Sequence, residues 1–312
     1  MTDLTAMRRP AEPDWSTVTT EELIAFRDAE NHVRASTAAR VITGEPDPGV
    51  TIEWQQVALP GRELPVRVYR PLAGGVLPLV LHVHGGGFVG TAPQSDWVNS
   101  HLAARLPALV VSVEHRLLDW ETPLSAAVQD GWDVLRHVVD DAAAWGVDPA
   151  RVAVFGESCG GLICALAAVR AGGERLPLRA QVLVNPAVDV ASTALDYDSV
   201  ARYPDTPTLT VPQLRFFQRL AVPEGADARA LSPLYAGDLD GLAPALVVVP
   251  THDPIADHGR RYAERLQAAG TSARLSEYPA AGHAFLSMPG MAPQATPARA
   301  EILAFLQESL SD

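Results

Sequence analysis

The pattern that most restricts this chain is a series of short, almost unbroken apolar runs separated by helix-compatible stretches. The runs are Leu77–Val83, Ala108–Val113, Val152–Phe155, Ala180–Val184 and Ala245–Val249, with a weaker one at Ala273–Tyr278. Strands buried on both faces read as continuous apolar runs, whereas strands with one wet face alternate. Runs of this kind interleaved with helices predict an α/β fold: a mostly parallel sheet with helices on both sides. Val50–Leu59 and Leu64–Tyr69 come first and read as two strands joined by a turn at Pro60-Gly61. A chain of 312 residues is long enough to bury the core of such a domain without disulfide staples. No internal repeat interrupts this reading.

Two segments stand outside the alternation. The first 45 residues read as a helical segment. Thr19 lies three residues before Glu22, the spacing of a capping box, and Leu23, Phe26, Ala29 and Val33 follow at helical intervals. Gly44-Glu45-Pro46-Asp47-Pro48-Gly49 ends it, which gives an N-terminal helical cap segment at 1–45 and a main domain at 46–312. The second segment, residues of about 187–235, contains Pro204, Pro207 and Pro212, then a helix-like stretch with Leu214, Phe217 and Leu220. It is too long for an ordinary connection, and such connections commonly form lids or binding elements. It is expected to cap the carboxyl ends of the strands, where open α/β sheets bind ligands. A last helix is expected with Thr296 as its cap, Pro297 in its first turn and Ile302, Phe305 and Leu306 on its apolar face.

The sharpest chemical signal is Gly156-Glu157-Ser158-Cys159-Gly160-Gly161, placed between the strand Val152–Phe155 and a helix-like stretch. Strand, tight turn and helix form the setting of a nucleophile elbow. The flanking glycines admit a turn that lifts the Ser158 hydroxyl clear of the sheet. Upstream, His84-Gly85-Gly86-Gly87-Phe88 follows a strand directly. Three consecutive glycines imply close approach of the backbone to something. Backbone N–H groups of Gly86, Gly87 and Cys159 are candidates to stabilise a developing oxyanion. A phosphate-binding loop is disfavoured because no Lys-Ser/Thr pattern follows.

A serine nucleophile requires a base, and the base an orienting acid. His283, in Ala280-Ala281-Gly282-His283-Ala284-Phe285, follows the last strand. Asp253, in Thr251-His252-Asp253-Pro254, follows the strand Ala245–Val249 and keeps the order Ser, acid, His. Asp257 competes with it but lies farther from the strand end. His82 and His84 share a strand face, yet no third ligand stands at a recognisable zinc spacing, so no metal is expected. His84 is expected to brace the glycine loop, and Cys164 to be a small buried apolar residue. Phe88, Trp97, Phe216, Phe217 and Phe285 are candidates to line an apolar pocket. Of the adjacent pair Phe216 and Phe217, one is expected to face inward.

Charge narrows the partners. With 24 Lys and Arg against 37 Asp and Glu, the net charge is −13, which argues against nucleic acid and anionic membrane surfaces. No apolar stretch approaches the roughly 18 residues of a spanning helix. Met1-Thr2-Asp3-Leu4 lacks the basic and apolar regions of a secretory signal. The two cysteines, Cys159 and Cys164, cannot supply a disulfide framework, so a reducing, cytoplasmic setting is expected.

Together these motifs resemble the hormone-sensitive-lipase-like family of α/β-hydrolase esterases. The resemblance runs from about Val50 to the C-terminus. It rests on His84-Gly85-Gly86-Gly87-Phe88, Gly156-Glu157-Ser158-Cys159-Gly160-Gly161, Asp253-Pro254-Ile255-Ala256-Asp257 and Gly282-His283-Ala284-Phe285. Val66–Pro71 and Ser232-Pro233-Leu234 also fit. It implies an eight-stranded, mostly parallel sheet with a helical cap, and hydrolysis of small-molecule carboxylic esters without a cofactor. It implies Ser158 as nucleophile, His283 as base, Asp253 as acid, and oxyanion donors from Gly86, Gly87 and Cys159. Family members often carry Asp-Ser-Ala at the elbow; here Glu157-Ser158-Cys159 puts a bulkier side chain beside the oxyanion hole. His115–Trp120 also departs from the family's usual Tyr-Arg-Leu-Ala-Pro-Glu stretch. An acyltransferase or amidase would use the same three residues. A hormone-receptor relative of this family replaces the catalytic histidine, which is present here. The oligomeric state is not readable, and a homodimer is among the states left open.

Overall fold

The computed structural model describes residues 11–311. Met1-Thr2-Asp3-Leu4 and the first part of the expected N-terminal segment lie outside the described residues. Eight strands form one sheet: β1 (Val50–Leu59), β2 (Arg62–Pro71), β3 (Leu77–Val83), β4 (Leu109–Val113), β5 (Val147–Glu157), β6 (Leu178–Val184), β7 (Ala245–His252) and β8 (Ala273–Gly282). Their spatial order is β1-β2-β4-β3-β5-β6-β7-β8. β1 and β2 pair as an antiparallel hairpin, turning through Gly61 at φ 75°. β2 lies antiparallel to β4, and every later pairing is parallel. The eight-stranded, mostly parallel sheet is therefore as expected, with β5 and β8 longer than their apolar runs.

Alternate residues of the central strands feed two cores, which is why those runs carry no polar phase. In β3, Leu79, Leu81 and Val83 join one core and Val80 the other. In β7 the division is Val247 and Val249 against Leu246 and Val248. The first core receives Trp132 and Leu135 from the helix Leu124–Asp140, Leu162 and Ile163 from Cys159–Glu174, and Tyr262 and Leu266 from Ala256–Ala268. The second receives Val98 and Leu102 from Asp96–Arg105, and Ile302, Phe305 and Leu306 from Ala295–Leu310. Each such side chain contributes about 1.5–3 kcal/mol on burial. Parallel strands bring their carboxyl ends to one edge, and the loops leaving β3, β5, β7 and β8 all emerge there.

Helix ends show where local signals hold and where they fail. The capping box forms as expected: Glu22 N donates to Thr19 Oγ1 at 3.2 Å, and Thr19 N donates to Glu22 Oε2 at 2.9 Å. The helix it opens spans Thr20–Ala35. Residues 11–19, expected to be helical, are not. Asp14 Oδ1 accepts from Ser16 N at 2.9 Å, a local bond that competes with the helix. The last helix starts at Ala295, one residue before its expected cap Thr296. The N–H of Ala298 bonds to the Gln294 carbonyl at 3.1 Å, which draws Thr296 into the first turn.

Between β6 and β7 the chain makes short helical turns at Ser192–Asp196 and Asp198–Arg202, a helix at Val211–Ala221 and a turn at Pro233–Tyr235. The helix Val211–Ala221 meets the N-terminal segment: the rings of Phe216 and Trp15 lie 5.2 Å apart, and the Arg219 guanidinium donates to the Trp15 carbonyl.

Candidate active site

Ser158 joins β5 to the helix Cys159–Glu174, with φ 56° and ψ −118°. A non-glycine residue in this region is strained and persists only where its surroundings enforce it. Here the enforcement is visible. Ser158 N donates to the Val184 carbonyl at 2.9 Å, and the Ser158 carbonyl accepts from Leu162 N and Ala187 N, each at 3.1 Å. The turn also needs Gly160, because a Cβ there would stand 2.1 Å from the Val83 carbonyl oxygen.

The three side chains singled out in the sequence converge. The Ser158 Oγ lies 2.8 Å from His283 Nε2. His283 Nδ1 lies 2.8 Å from Asp253 Oδ2. A carboxylate only accepts, so Nδ1 carries the proton and Nε2 is left to accept from the serine hydroxyl. Asp253 is fully buried, and its other oxygen accepts from Ile255 N at 2.9 Å. Asp257 is engaged elsewhere, accepting from Ser199 N at 2.9 Å and Arg260 Nη1 at 2.9 Å. Burial alone would lower the His283 pKa. The charge and hydrogen bond of Asp253 outweigh it, with help from the charge of Glu157, and the pKa stands above its ordinary 6.5.

Glu157 anchors the histidine loop from beneath. Its Oε2 accepts from Ser287 Oγ. Burial raises its pKa, partly offset by Ser287.

The glycine loop lies against the elbow: a Cβ on Gly85 would be 3.5 Å from the Cβ of Ser158. Gly86 has φ +92°, and a Cβ there would fall 1.7 Å from the Val89 carbonyl oxygen, so only glycine fits. The same construction on Gly87 reaches the Phe217 ring at 2.3 Å and Cys159 Sγ at 3.6 Å. The loop and the residue after the nucleophile thus sit side by side. His84 Nδ1 contacts the Gly85 carbonyl at 2.9 Å, the expected brace, and its ring stacks on His115 at 4.3 Å. His82 Nδ1 contacts Ser112 Oγ at 2.8 Å. Among the described residues no group of three or more His, Cys, Asp or Glu is arranged to hold a metal ion. Cys164 and Cys159 are free thiols, both buried.

The five aromatic candidates separate. Phe88 and Phe216 meet at 5.0 Å between centroids and share a cluster with Trp15. Phe217 lies beside Gly87 and lines a small cavity with Ala187, Leu214, Ile255 and His258. Phe216 and Phe217, of which one was expected to face inward, are both buried, at 0% and 9% exposure, and Phe217 is the one that meets Gly87 and the cavity. Their helix is packed on two sides, by the glycine loop and by the Trp15 segment. Trp97 and Phe285 belong to the second core and do not join the cluster. Trp97 lies on the helix Asp96–Arg105 under the Arg299 guanidinium, 3.5 Å from its ring centre, and Phe285 packs on Tyr278. The sequence reading did not single out Ser287, Gln94, Arg27 or Asn31, which reach the site loops from elsewhere in the chain. No local motif marks such contacts.

A mostly parallel eight-stranded sheet that presents a serine on a strained elbow, with a histidine and an aspartate after its last two strands, defines an α/β-hydrolase. A family model described as alpha/beta hydrolase fold matches residues 80–287, and the chain belongs to that family, the hormone-sensitive-lipase-like esterases. It is 34% identical to the carboxylesterase NlhH of Mycobacterium tuberculosis, over 99% of both chains. It is 33% identical to an ethyl acetate hydrolase of Pseudomonas putida, over 80% of both. Among solved structures it is similar to EstE1, a thermophilic carboxylesterase from a metagenomic library. The TM-score is 0.84 and the identity 30%, covering 93% of this chain and 98% of that one.

Proposed function

We propose that this protein hydrolyses small carboxylic esters through an acyl-enzyme formed on Ser158. The observation that carries the reading is the unbroken relay from Ser158 Oγ through His283 to buried Asp253. His283 takes the serine proton as Oγ attacks the ester carbonyl. Asp253 holds the tautomer and stabilises the imidazolium. N–H groups of Gly86, Gly87 and Cys159 receive the oxyanion. His283 then protonates the departing alcohol, and next activates water to release the acid.

The N-terminal segment to residue 45 and the insertion at about 187–235 act as a cap over this centre, a role supported by their contact through Trp15 and Phe216. Short to medium acyl esters are the substrates this reading expects, with the Phe217 ring against Gly87 as the side chain that would limit the acyl group. Among the described residues no helix is long and apolar enough to cross a membrane. Two free, buried thiols suit a reducing, cytoplasmic setting.

A colorimetric ester assay tests the reading. The protein turns over short and medium acyl esters, and Ser158→Ala loses that activity by several orders of magnitude while keeping its fold. Full activity in Ser158→Ala, or none in the unaltered protein, would overturn it.

A further inference from the structure

An oxyanion hole stabilises charge only if its donors are held in place before the reaction. A loop of consecutive glycines has no side chains with which to hold itself, and it is conformationally the least restrained kind of backbone. The means by which residues 85–90 are fixed therefore bears directly on the proposed chemistry.

Four backbone groups of the loop are tied, two of them to the N-terminal helix. The Gly85 carbonyl accepts from Gln94 Nε2 at 3.1 Å, and the Gly87 carbonyl from Leu118 N at 2.8 Å. The Phe88 carbonyl accepts from Arg27 Nε at 2.9 Å. The N–H of Gly90 donates to Asn31 Oδ1 at 2.9 Å. Arg27 also donates through Nη2 to the Leu118 carbonyl at 2.5 Å. One guanidinium thus joins the glycine loop to the segment that holds Gly87. Its side chain is 14% exposed, and Asp119 stands 3.8 Å away.

The spacing along the helix is regular. Arg27 and Asn31 are four residues apart, and Arg34 follows three later, so all three share one face. Arg34 Nη1 donates to Gln94 Oε1 at 3.2 Å, and Gln94 is the residue that holds Gly85. One helical face is given over to the loop.

We propose that Arg27 and Asn31 are positioning residues for the oxyanion hole, acting through the backbone of Phe88 and Gly90, so that docking of the N-terminal helix preorganises the donors of Gly86 and Gly87. This rests on the esterase reading above. Neither residue touches the reacting atoms; each sets where the glycine N–H groups point. Loss of Arg27 displaces the donors without deleting them, so the expected effect lies below the roughly 10²–10³-fold loss of removing one donor outright.

The test uses Arg27→Met, Arg27→Ala, Arg27→Lys, Asn31→Leu and Asn31→Asp in the full chain. Each is assayed for kcat and KM on a short-chain ester and for inhibition by an aryl trifluoromethyl ketone. That inhibitor forms a bond from Ser158 Oγ to its carbonyl carbon. The serine proton passes to His283 Nε2, and the carbonyl π pair becomes an oxyanion in the hole. In Arg27→Met, kcat falls roughly ten- to a hundredfold, with KM within about twofold, and ketone inhibition weakens in parallel. Asn31→Leu shows a smaller loss of the same kind, and Asn31→Asp, which still accepts from Gly90, restores most of it. Guanidinium ion added at millimolar concentration recovers part of the activity of Arg27→Ala.

A merely structural role would lower the melting temperature but leave kcat per folded molecule and ketone affinity unchanged, and that result overturns the proposal. So does a loss confined to KM. Should Arg27→Met fail to fold, Arg27→Lys and Asn31→Leu carry the same comparison. The two readings fail separately. An unaltered protein without ester hydrolysis sinks the proposed function. An active protein whose Arg27 and Asn31 variants match it sinks only this inference.

Discussion

Asp253 and Asp257 are the same residue type, four positions apart, and their surroundings give them different work. Asp253 is sealed from solvent with one oxygen on His283, whereas Asp257 pairs with Arg260 and the backbone of Ser199. Asp253→Asn is expected to cut turnover on the order of 10⁴-fold by favouring the wrong imidazole tautomer. Asp257→Asn should leave turnover within a few-fold, and steady-state kinetics on both variants checks the assignment. The pH profile offers a second check. The His283 pKa stands above its ordinary 6.5. Below that pKa the imidazolium cannot accept the serine proton, so kcat/KM rises as pH climbs through it. The Glu157 charge helps to raise that pKa. Glu157→Gln removes the charge, so the acidic limb should move to lower pH; a limb that stays in place would contradict the coupling. Residues at this scale were legible wherever a strand end, a motif and a chain order coincided, as for Ser158, Asp253 and His283. Trp97 and Phe285, named as pocket candidates, pack in the second core, and an aromatic in sequence carries no sign of which sheet face it will meet.

At the scale of elements, the helix Val211–Ala221 closes over the glycine loop with Phe217 as its contact. Phe217→Ala would open the cavity that this ring now limits. Each additional methylene buried there gains up to about 0.8 kcal/mol, so two give about a tenfold gain in kcat/KM for longer acyl esters relative to the unaltered protein. Rates across a series of acyl lengths, with a thermal melt to confirm folding, decide it; an unchanged preference would show that the acyl group lies elsewhere. The helix itself was visible from the apolar spacing of Leu214, Phe217 and Leu220, whereas Pro212, read as preceding it, stands in its first turn. The burial of both Phe216 and Phe217 was not, because it depends on Trp15, distant in sequence and in a segment that read as helix. Pairings such as Arg27 with Phe88 are of the same kind: two elements must first fold before either residue has a partner.

Across the whole molecule, the parallel sheet gathers the ends of β3, β5, β7 and β8 onto one edge, and this alone brings together residues 125 positions apart. Continuous apolar runs revealed that sheet because burial on both faces removes the polar phase from a strand. The antiparallel entry through β1 and β2 was legible as a hairpin from Pro60-Gly61. The longer extents of β5 and β8 were not, since their added residues, such as Asp148-Pro149 in β5 and Pro279 and Gly282 in β8, carry turn-forming types rather than an apolar run. The central claim is that the Ser158 hydroxyl, and no other nucleophile in the chain, attacks the substrate carbonyl. Incubation with an activated aryl phosphonate, followed by mass spectrometry of the intact and digested protein, tests it directly. The account predicts a single adduct per chain on the peptide containing Ser158, formed as activity is lost and absent from Ser158→Ala. An inactivated protein carrying its adduct on any other residue would contradict it.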